Sequence, residues 1–201
     1  MWPAIPTILP VTDSWSRPEF ECRPITTANL VDLDRFSSEH GKFRYCSCMR
    51  WRMTSSQYRS STKESRVATL ADLVRQGQPV GVLAYEDHHP VGWCSIAPRE
   101  TYGAIERFRA LPRIDDEPVW SVVCFFVDRL RRGQGLTLAL LRAAVDYAHA
   151  QGARVVEGYP VEPGPRLYTY MGAPSTFRAA GFSDVTPPGS TRVVMRHLAQ
   201  P

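Results

Sequence analysis

The chain has 201 residues, a length that fits one domain of ordinary size with at most a small appendage and excludes repeat arrays and multidomain machines. With 43% hydrophobic and 22% charged residues it holds enough apolar material to fold unaided, which excludes wholesale disorder. The formal net charge of +4 is small and spread along the chain, so it argues only weakly for a nucleic-acid partner.

No stretch reaches the ~18 consecutive apolar residues of a spanning helix, so a soluble protein without a membrane partner is expected. Met1-Trp2-Pro3 carries neither a basic patch nor a continuous apolar run, so no secretory signal is read there and a cytoplasmic location is expected. Cys22, Cys46, Cys48, Cys94 and Cys124 lack the paired spacing of a zinc site; reduced thiols and no metal are the expectation.

Residues 1–18, with Pro3, Pro6, Pro10 and Pro18 and no period, read as an irregular arm ahead of a single domain over 19–201. A short strand over 20–24 leads to a helix that Thr27 can cap, with Leu30, Leu33 and Phe36 on its apolar face and Gly41 as its end. The segment 43–58 is dense in aromatic and arginine residues without a clean period and reads as a functional or packing loop. Ser61-Thr62-Lys63-Glu64 offers caps for a second helix to Arg75, with Val67, Leu70, Leu73 and Val74 on one side and Gly77 as the stop. Apolar runs over 79–85 and 91–96 flank Glu86-Asp87-His88-His89-Pro90, a hairpin signature with both histidines at a solvated tip. After an irregular stretch, the uncharged run from Val119 to Val127 reads as a strand covered on both faces. A basic, glycine-containing turn over 128–137 then opens a helix to about Gln151, with Leu138, Leu141, Val145 and Ala148 facing inward. A strand over 154–159, a link with Pro and Gly, a short helix near 174–180 and strands at Gly181-Phe182 and 191–198 complete the order.

The informative feature is a buried strand feeding a glycine turn at the head of a long amphipathic helix. Gly133 and Gly135 remove two side chains where main-chain N–H groups are free, and the helix dipole adds partial positive charge. With Arg129, Arg131 and Arg132 beside it, the turn suits a pyrophosphate. No Gly-Lys-Ser/Thr follows, as a P-loop requires. A third glycine and an acidic residue ~20 positions on, as a dinucleotide fold wants, are also missing. Taken alone, the turn leaves a purely structural helix opener open.

On these residues the chain resembles the GNAT superfamily of acyl-CoA-dependent N-acyltransferases. Its phosphate motif, Arg/Gln-x-x-Gly-x-Gly/Ala, lies without gaps on Arg132-Gly133-Gln134-Gly135-Leu136-Thr137, and Thr137 departs from the small last residue. The order of elements over about 20–198 matches as well. The resemblance implies an α/β (α+β) fold with a mixed central sheet of about six to seven strands, about four flanking helices and a splay between strands four and five. Acetyl-CoA, the implied co-substrate, would lie in that splay. Main-chain groups of Phe125, Phe126 and Val127 would meet the thioester and pantetheine, while Arg132, Gly133, Gln134, Gly135, Leu136, Thr137 and Leu138 would hold the pyrophosphate. Dimers are common in such folds, and a homodimer is carried over by that analogy.

Direct transfer needs an uncharged amine, a polarised carbonyl and a proton donor for the departing thiolate. In the family that donor is a tyrosine four residues before the Gly-Phe pair, and here the position is Phe177. Tyr170 is the expected substitute, with Tyr168 and Ser175 as alternatives and unassisted thiolate release also open. For a base, Glu157 comes first, because a lone carboxylate beside Val155, Val156 and Tyr159 needs a partner or a cleft; Glu117 comes second. The acceptor side is read over 45–52: Tyr45, Arg50, Trp51 and Arg52 could hold an amine that bears a carboxylate or phosphate, and a loop packed through Met49 and Trp51 is the alternative. Cys46 and Cys48 have no histidine at ligand spacing, and direct transfer needs no thiol. The leading reading is therefore acetylation of a small primary amine. Acylation of a protein or aminoacyl-tRNA is the second; for RNA, the segment 44–59 is only a fragment of a basic aromatic face. A non-catalytic acyl-CoA-binding module is the third.

Overall fold

The computed structural model describes residues 20–46, 48–164 and 168–199, except for the side chains of Lys42, Arg44 and Tyr45; the arm expected over 1–18 lies outside the described residues. Strand β1 (Glu21–Pro24) leads to a 3-10 turn capped by Thr26, not Thr27: Asn29 Oδ1 accepts the Thr26 N–H at 2.8 Å, and the Thr26 hydroxyl accepts the Ala28 N–H at 3.3 Å. Helix α1 (Leu30–Glu39) then buries Leu33 and Phe36. Gly41 does not end it but begins α2 (Gly41–Cys46), which is followed by α3 (Met49–Arg52) and α4 (Ser55–Ser60). The segment expected as a loop is thus three short helices. None exceeds 6 residues, less than two turns, so no 3.6-residue period can emerge from the sequence.

Helix α5 (Lys63–Arg75) starts at Thr62, whose hydroxyl accepts the Ser65 N–H at 3.1 Å, and the chain turns away at Gly77, φ +71°. Strands β2 (Val82–Glu86) and β3 (His89–Pro98) form the expected hairpin through Asp87 and His88, both left-handed. His88 is exposed at the tip, and His89, still partly exposed, meets Glu39 at 2.8 Å from its Nε2. Then come α6 (Gly103–Glu106), β4 (Val119–Val127), α7 (Leu136–Ala150), β5 (Val155–Gly158), α8 (Pro174–Ala179), β6 (Ser183–Asp184) and β7 (Met195–Leu198). Eight α-helices stand among the described residues, rather than about four, but only α1, α5 and α7 are longer than 6 residues. None is long and apolar enough to cross a membrane.

All seven strands join one mixed sheet in the order β1-β2-β3-β4-β5-β7-β6, with β4 and β5 its parallel pair. On one face α7 lays Leu140, Leu141, Ala144, Val145 and Ala148 over Val82, Cys94, Ile96 and Val122. On the other, Leu33, Phe36, Phe43 and Leu70 cover Leu83 and Trp93. The central strands are mostly apolar because both faces are covered, with Ser95, Ser121 and Glu157 as buried polar exceptions. Leu138, expected inward, is only half-buried; Leu136 and Leu140 take the core positions on that helix.

The position of the site follows from where β5 stops. It pairs with β4 only from Val119–Val155 to Val122–Gly158, and beyond that the strands part. At Gly158 an added Cβ would stand 2.1 Å from Cε1 of the fully buried Phe177, whose ring packs edge-on against Phe182. Gly158→Ala is therefore expected to destabilise the protein by about 1–3 kcal/mol through overpacking. A melting temperature equal to that of the parent would show that the Phe177 ring moves aside freely.

Candidate active site

Past β4 the chain turns sharply. The Asp128 N–H donates to Val91 O at 2.9 Å, and the Asp128 carboxylate accepts the Leu130 N–H at 3.0 Å, heading the 3-10 turn Arg129–Arg131. Gly133 and Gly135 follow at φ +77° and +85°, conformations that glycine adopts at little cost, and a Cβ on either would meet nothing within 4 Å. Their bareness therefore serves no internal packing; it keeps open the space in front of the helix. Among the described residues no well-formed protein acceptor meets the N–H groups of 133–137, whereas Leu138 and Ala139 both donate to Gly135 O, at 3.0 and 3.1 Å. The Leu138 N–H is thus not free, because the first turn of α7 closes on Gly135.

These donors face a cleft of about 930 Å³. Phe125, Phe126 and Val127 form one wall, and Thr169, Tyr170, Gly172, Ser175 and Thr176 from the link and α8 face them. Arg132 borders the cleft, is exposed and has no carboxylate partner among the described residues. Arg131 also borders it, but its Nε is held by Glu86 at 2.6 Å, which offsets its charge. Gln134 turns its amide back onto Leu130 O at 3.1 Å and is not part of the cleft wall. A diphosphate fits this cradle: unpaired N–H donors, a helix dipole and one unneutralised guanidinium converge where a ligand can approach bare backbone.

A second cavity of about 490 Å³ lies on the α2–α3 side and shares Phe125, Phe126 and Tyr170 with the first. Its other walls include Phe43, Arg50, Tyr58, Cys124 and Tyr168. Tyr170 is a wall of both. Burial, with Cys124, Cys46 and Tyr168 around it, pushes its phenol well above the usual tyrosine range, and the Arg50 charge opposes that only in part. Like any tyrosine it is protonated at neutral pH, and the upward shift makes it a weaker acid, not a stronger one. Arg50 sets its guanidinium 5.9 Å from the ring centres of both Trp51 and Tyr58, without a carboxylate partner among the described residues.

Several residues singled out in the sequence lie elsewhere. Glu157 is 1% exposed and lines neither cavity: Arg99 holds it at 2.7 Å, the Tyr159 hydroxyl donates to it at 2.7 Å and Arg196 Nε reaches it at 2.8 Å. Glu117 sits 3.7 Å from Arg154 in a separate depression that also includes Asp115 and Arg196. Trp51 is buried behind the second cavity, 5.6 Å from the rings of both Phe108 and Tyr168. Arg52 packs over the Tyr102 ring at 4.5 Å and donates to Pro79 O at 3.2 Å. The Tyr45 side chain lies outside the described residues. Phe43, Tyr58 and Cys124 were not foreseen as cavity walls; the alternation of β4, which puts Cys124 on the same face as Phe126, is the one local signal that points to them.

Comparison with known proteins agrees with this geometry. The model of the Acetyltransferase (GNAT) family matches residues 46–171. Among solved structures the chain is similar to ribosomal-protein-alanine N-acetyltransferase of Brucella melitensis, with 19% identity and a TM-score of 0.51 over 89% of this chain and 99% of that one. PaiA N-acetyltransferase of Thermoplasma acidophilum, in complex with coenzyme A, shows 17% identity and a TM-score of 0.50 over 90% of this chain and 99% of that one. YncA of Salmonella typhimurium, with its cofactor acetyl-CoA, shows 15% identity and a TM-score of 0.53 over 90% and 94%. Identities this low establish a shared fold and no more. No curated protein sequence matches the chain. A family match over well more than half of the sequence, on a chain whose sheet opens between its parallel strands, makes this protein a member of the GNAT acetyltransferase family.

Proposed function

We propose that the protein is an acetyl-CoA-dependent N-acetyltransferase that acts on a small primary amine by direct transfer. The observation that carries this reading is a pair of neighbouring cavities that share Phe125, Phe126 and Tyr170 as walls: a cleft headed by N–H donors and Arg132, and a smaller aromatic chamber. In this reading Gly133 to Thr137 and Arg132 hold the pyrophosphate, and the main chain of Phe125 to Val127, which β5 leaves unpaired, orients the pantetheine arm. Bound acetyl-CoA supplies an activated thioester. Tyr170, which walls both cavities, gives its proton to the departing sulfur. The second cavity, of about 490 Å³, suits a small molecule, and Arg50 on its wall suits an acceptor whose apolar body carries an anionic group.

Among the described residues no carboxylate or imidazole lines either cavity. In this reading the amine arrives neutral, and kcat/KM is expected to rise by about tenfold per pH unit until the pKa of the amine itself is reached. A plateau near neutrality in the pH profile would reveal a base supplied by the protein and overturn that step.

The cradle is tested with Arg132→Glu. Losing a charge-assisted contact to phosphate, worth about 1.5–3 kcal/mol, should weaken acetyl-CoA binding by about 10- to 100-fold in calorimetry. The melting temperature should stay the same, because Arg132 is exposed. Unchanged affinity would remove the turn from the binding site. Thiol release with a panel of small amines, against none with peptides, tests the acceptor; release with peptides alone would replace the small amine by a protein.

A further inference from the structure

The walls of the smaller cavity share one chemistry. Phe43 from α2, Tyr58 from α4, Phe125 and Phe126 from β4, and Tyr168 and Tyr170 from the link before α8 all line it. Phe43 meets Phe126 edge to face, with ring centres 6.0 Å apart at 69°, and Tyr168 meets Tyr170 in the same way at 6.0 Å and 71°. Rings prefer this arrangement because the electropositive edge of one meets the electronegative face of the other. An aromatic guest has an edge and a face to offer in return, whereas a saturated guest gains only apolar burial. The thiols of Cys46, Cys48 and Cys124 complete the apolar part of the wall as small hydrophobes.

Arg50 supplies the one charged side chain among the described walls. Its guanidinium is set against the Trp51 and Tyr58 rings and has no carboxylate partner among the described residues. In a chamber of this kind one guanidinium balances one negative charge. A carboxylate brings one and matches the planar fork in two parallel bonds, whereas a phosphate brings about 1.5–2 and would leave an excess. The volume of about 490 Å³ is in the range of small-molecule sites. Phe125, Phe126 and Tyr170 border the larger cleft as well, so a reacting amine belongs on their side of the chamber.

We propose that the smaller cavity takes an aromatic amino acid as the acceptor: an aryl ring among Phe43, Phe126 and Tyr168, a carboxylate on Arg50, and the primary amine toward Phe125 and Tyr170. That this molecule is acetylated rests on the acetyltransferase reading; that the cavity binds it does not. On transfer the amine nitrogen bonds to the acetyl carbonyl carbon and the C–S bond breaks. The nitrogen loses one proton and the sulfur gains one, giving the N-acetyl amino acid and coenzyme A.

The test titrates the full-length protein by calorimetry with phenylalanine, cyclohexylalanine and phenylethylamine, in saturating coenzyme A so that no acetyl group is transferred. Phenylalanine is expected to bind at least about threefold tighter than cyclohexylalanine, whose saturated ring is similar in size and no less apolar. It should bind at least about tenfold tighter than phenylethylamine, which lacks the carboxylate. Arg50→Met should erase the second margin and keep the first, which also shows that the variant folds. Cyclohexylalanine binding as well or better, a carboxylate margin that survives Arg50→Met, or no binding of any of the three would overturn the proposal. Thiol release from acetyl-CoA then separates the two readings. Release with aliphatic amines alone overturns the aromatic acceptor and keeps the acetyltransferase; binding with both margins but no release with any amine keeps the ligand of the cavity and overturns the acetyltransferase.

Discussion

Tyr170→Phe is expected to lower kcat by about 10²- to 10⁴-fold, the usual worth of a positioned general acid, while acetyl-CoA affinity stays within about twofold. Among the described residues Tyr170 brings the one polar side chain that walls both cavities, beside the apolar Phe125 and Phe126 rings. The ring is retained in the variant, so packing against Tyr168, 6.0 Å away, is preserved. Phe177, at the position where the family places its tyrosine, cannot substitute: it has no hydroxyl and is fully buried against Gly158 and Phe182. The check is steady-state kinetics with a thiol-release readout, together with a direct titration of acetyl-CoA. A loss of less than about threefold would mean that the thiolate leaves without this acid, as its modest basicity permits.

Arg99→Met should have the largest effect on stability, about 3–5 kcal/mol, because it leaves a buried carboxylate short of a partner. Arg99 is 2% exposed and binds Glu157 and the Tyr159 hydroxyl at 2.7 and 2.8 Å, Leu111 O at 2.6 Å and Glu106 at 2.8 Å. The melting temperature should fall by about 6–20 °C at ~2–4 °C per kcal/mol for a chain of this size. Adding Glu157→Leu to Arg99→Met should recover part of the loss, since the unpaired buried charge is then gone. A pair of variants with equal melting temperatures would show that the network does not act as a unit.

The same network sets a direction for pH. Burial raises Glu106, but hydrogen bonds from Arg113 and Arg99 outweigh it and hold the carboxyl below its usual value; the bonds from Arg196 do the same for Asp115. Carboxyls whose folded pKa is depressed contribute stability above the ordinary carboxylate range. That contribution is lost as pH falls through this range toward the folded values. Acid titration of the melting temperature should therefore drop below about pH 4.5, and Arg99→Met should flatten that drop. Because Glu106 keeps Arg113 and Asp115 keeps Arg196, a shallower fall below about pH 4.5 in Arg99→Met than in the parent is the expected contrast, and equal slopes would remove Arg99 from the effect.

Strand β4, the glycine turn and helix α7 were legible from the chain alone, because each rests on local properties: an uncharged run, two residues free to take positive φ, and a sustained helical period. The short helices between α1 and α5 were not, since fewer than two turns leave no period to read. Glu157 shows a second limit. All four residues of β5 are buried, so alternation carries no information, and only pairing with β4 and β7 decides that its carboxylate meets Arg99 and Arg196 rather than the cleft. Likewise, no spacing in the sequence sets Trp51 behind Tyr168. A donor-rich turn is made by its own backbone, whereas the face a strand residue turns to, and the neighbour it meets there, depend on partners far along the chain. Only the assembled sheet, opened where Gly158 yields to Phe177, supplies them.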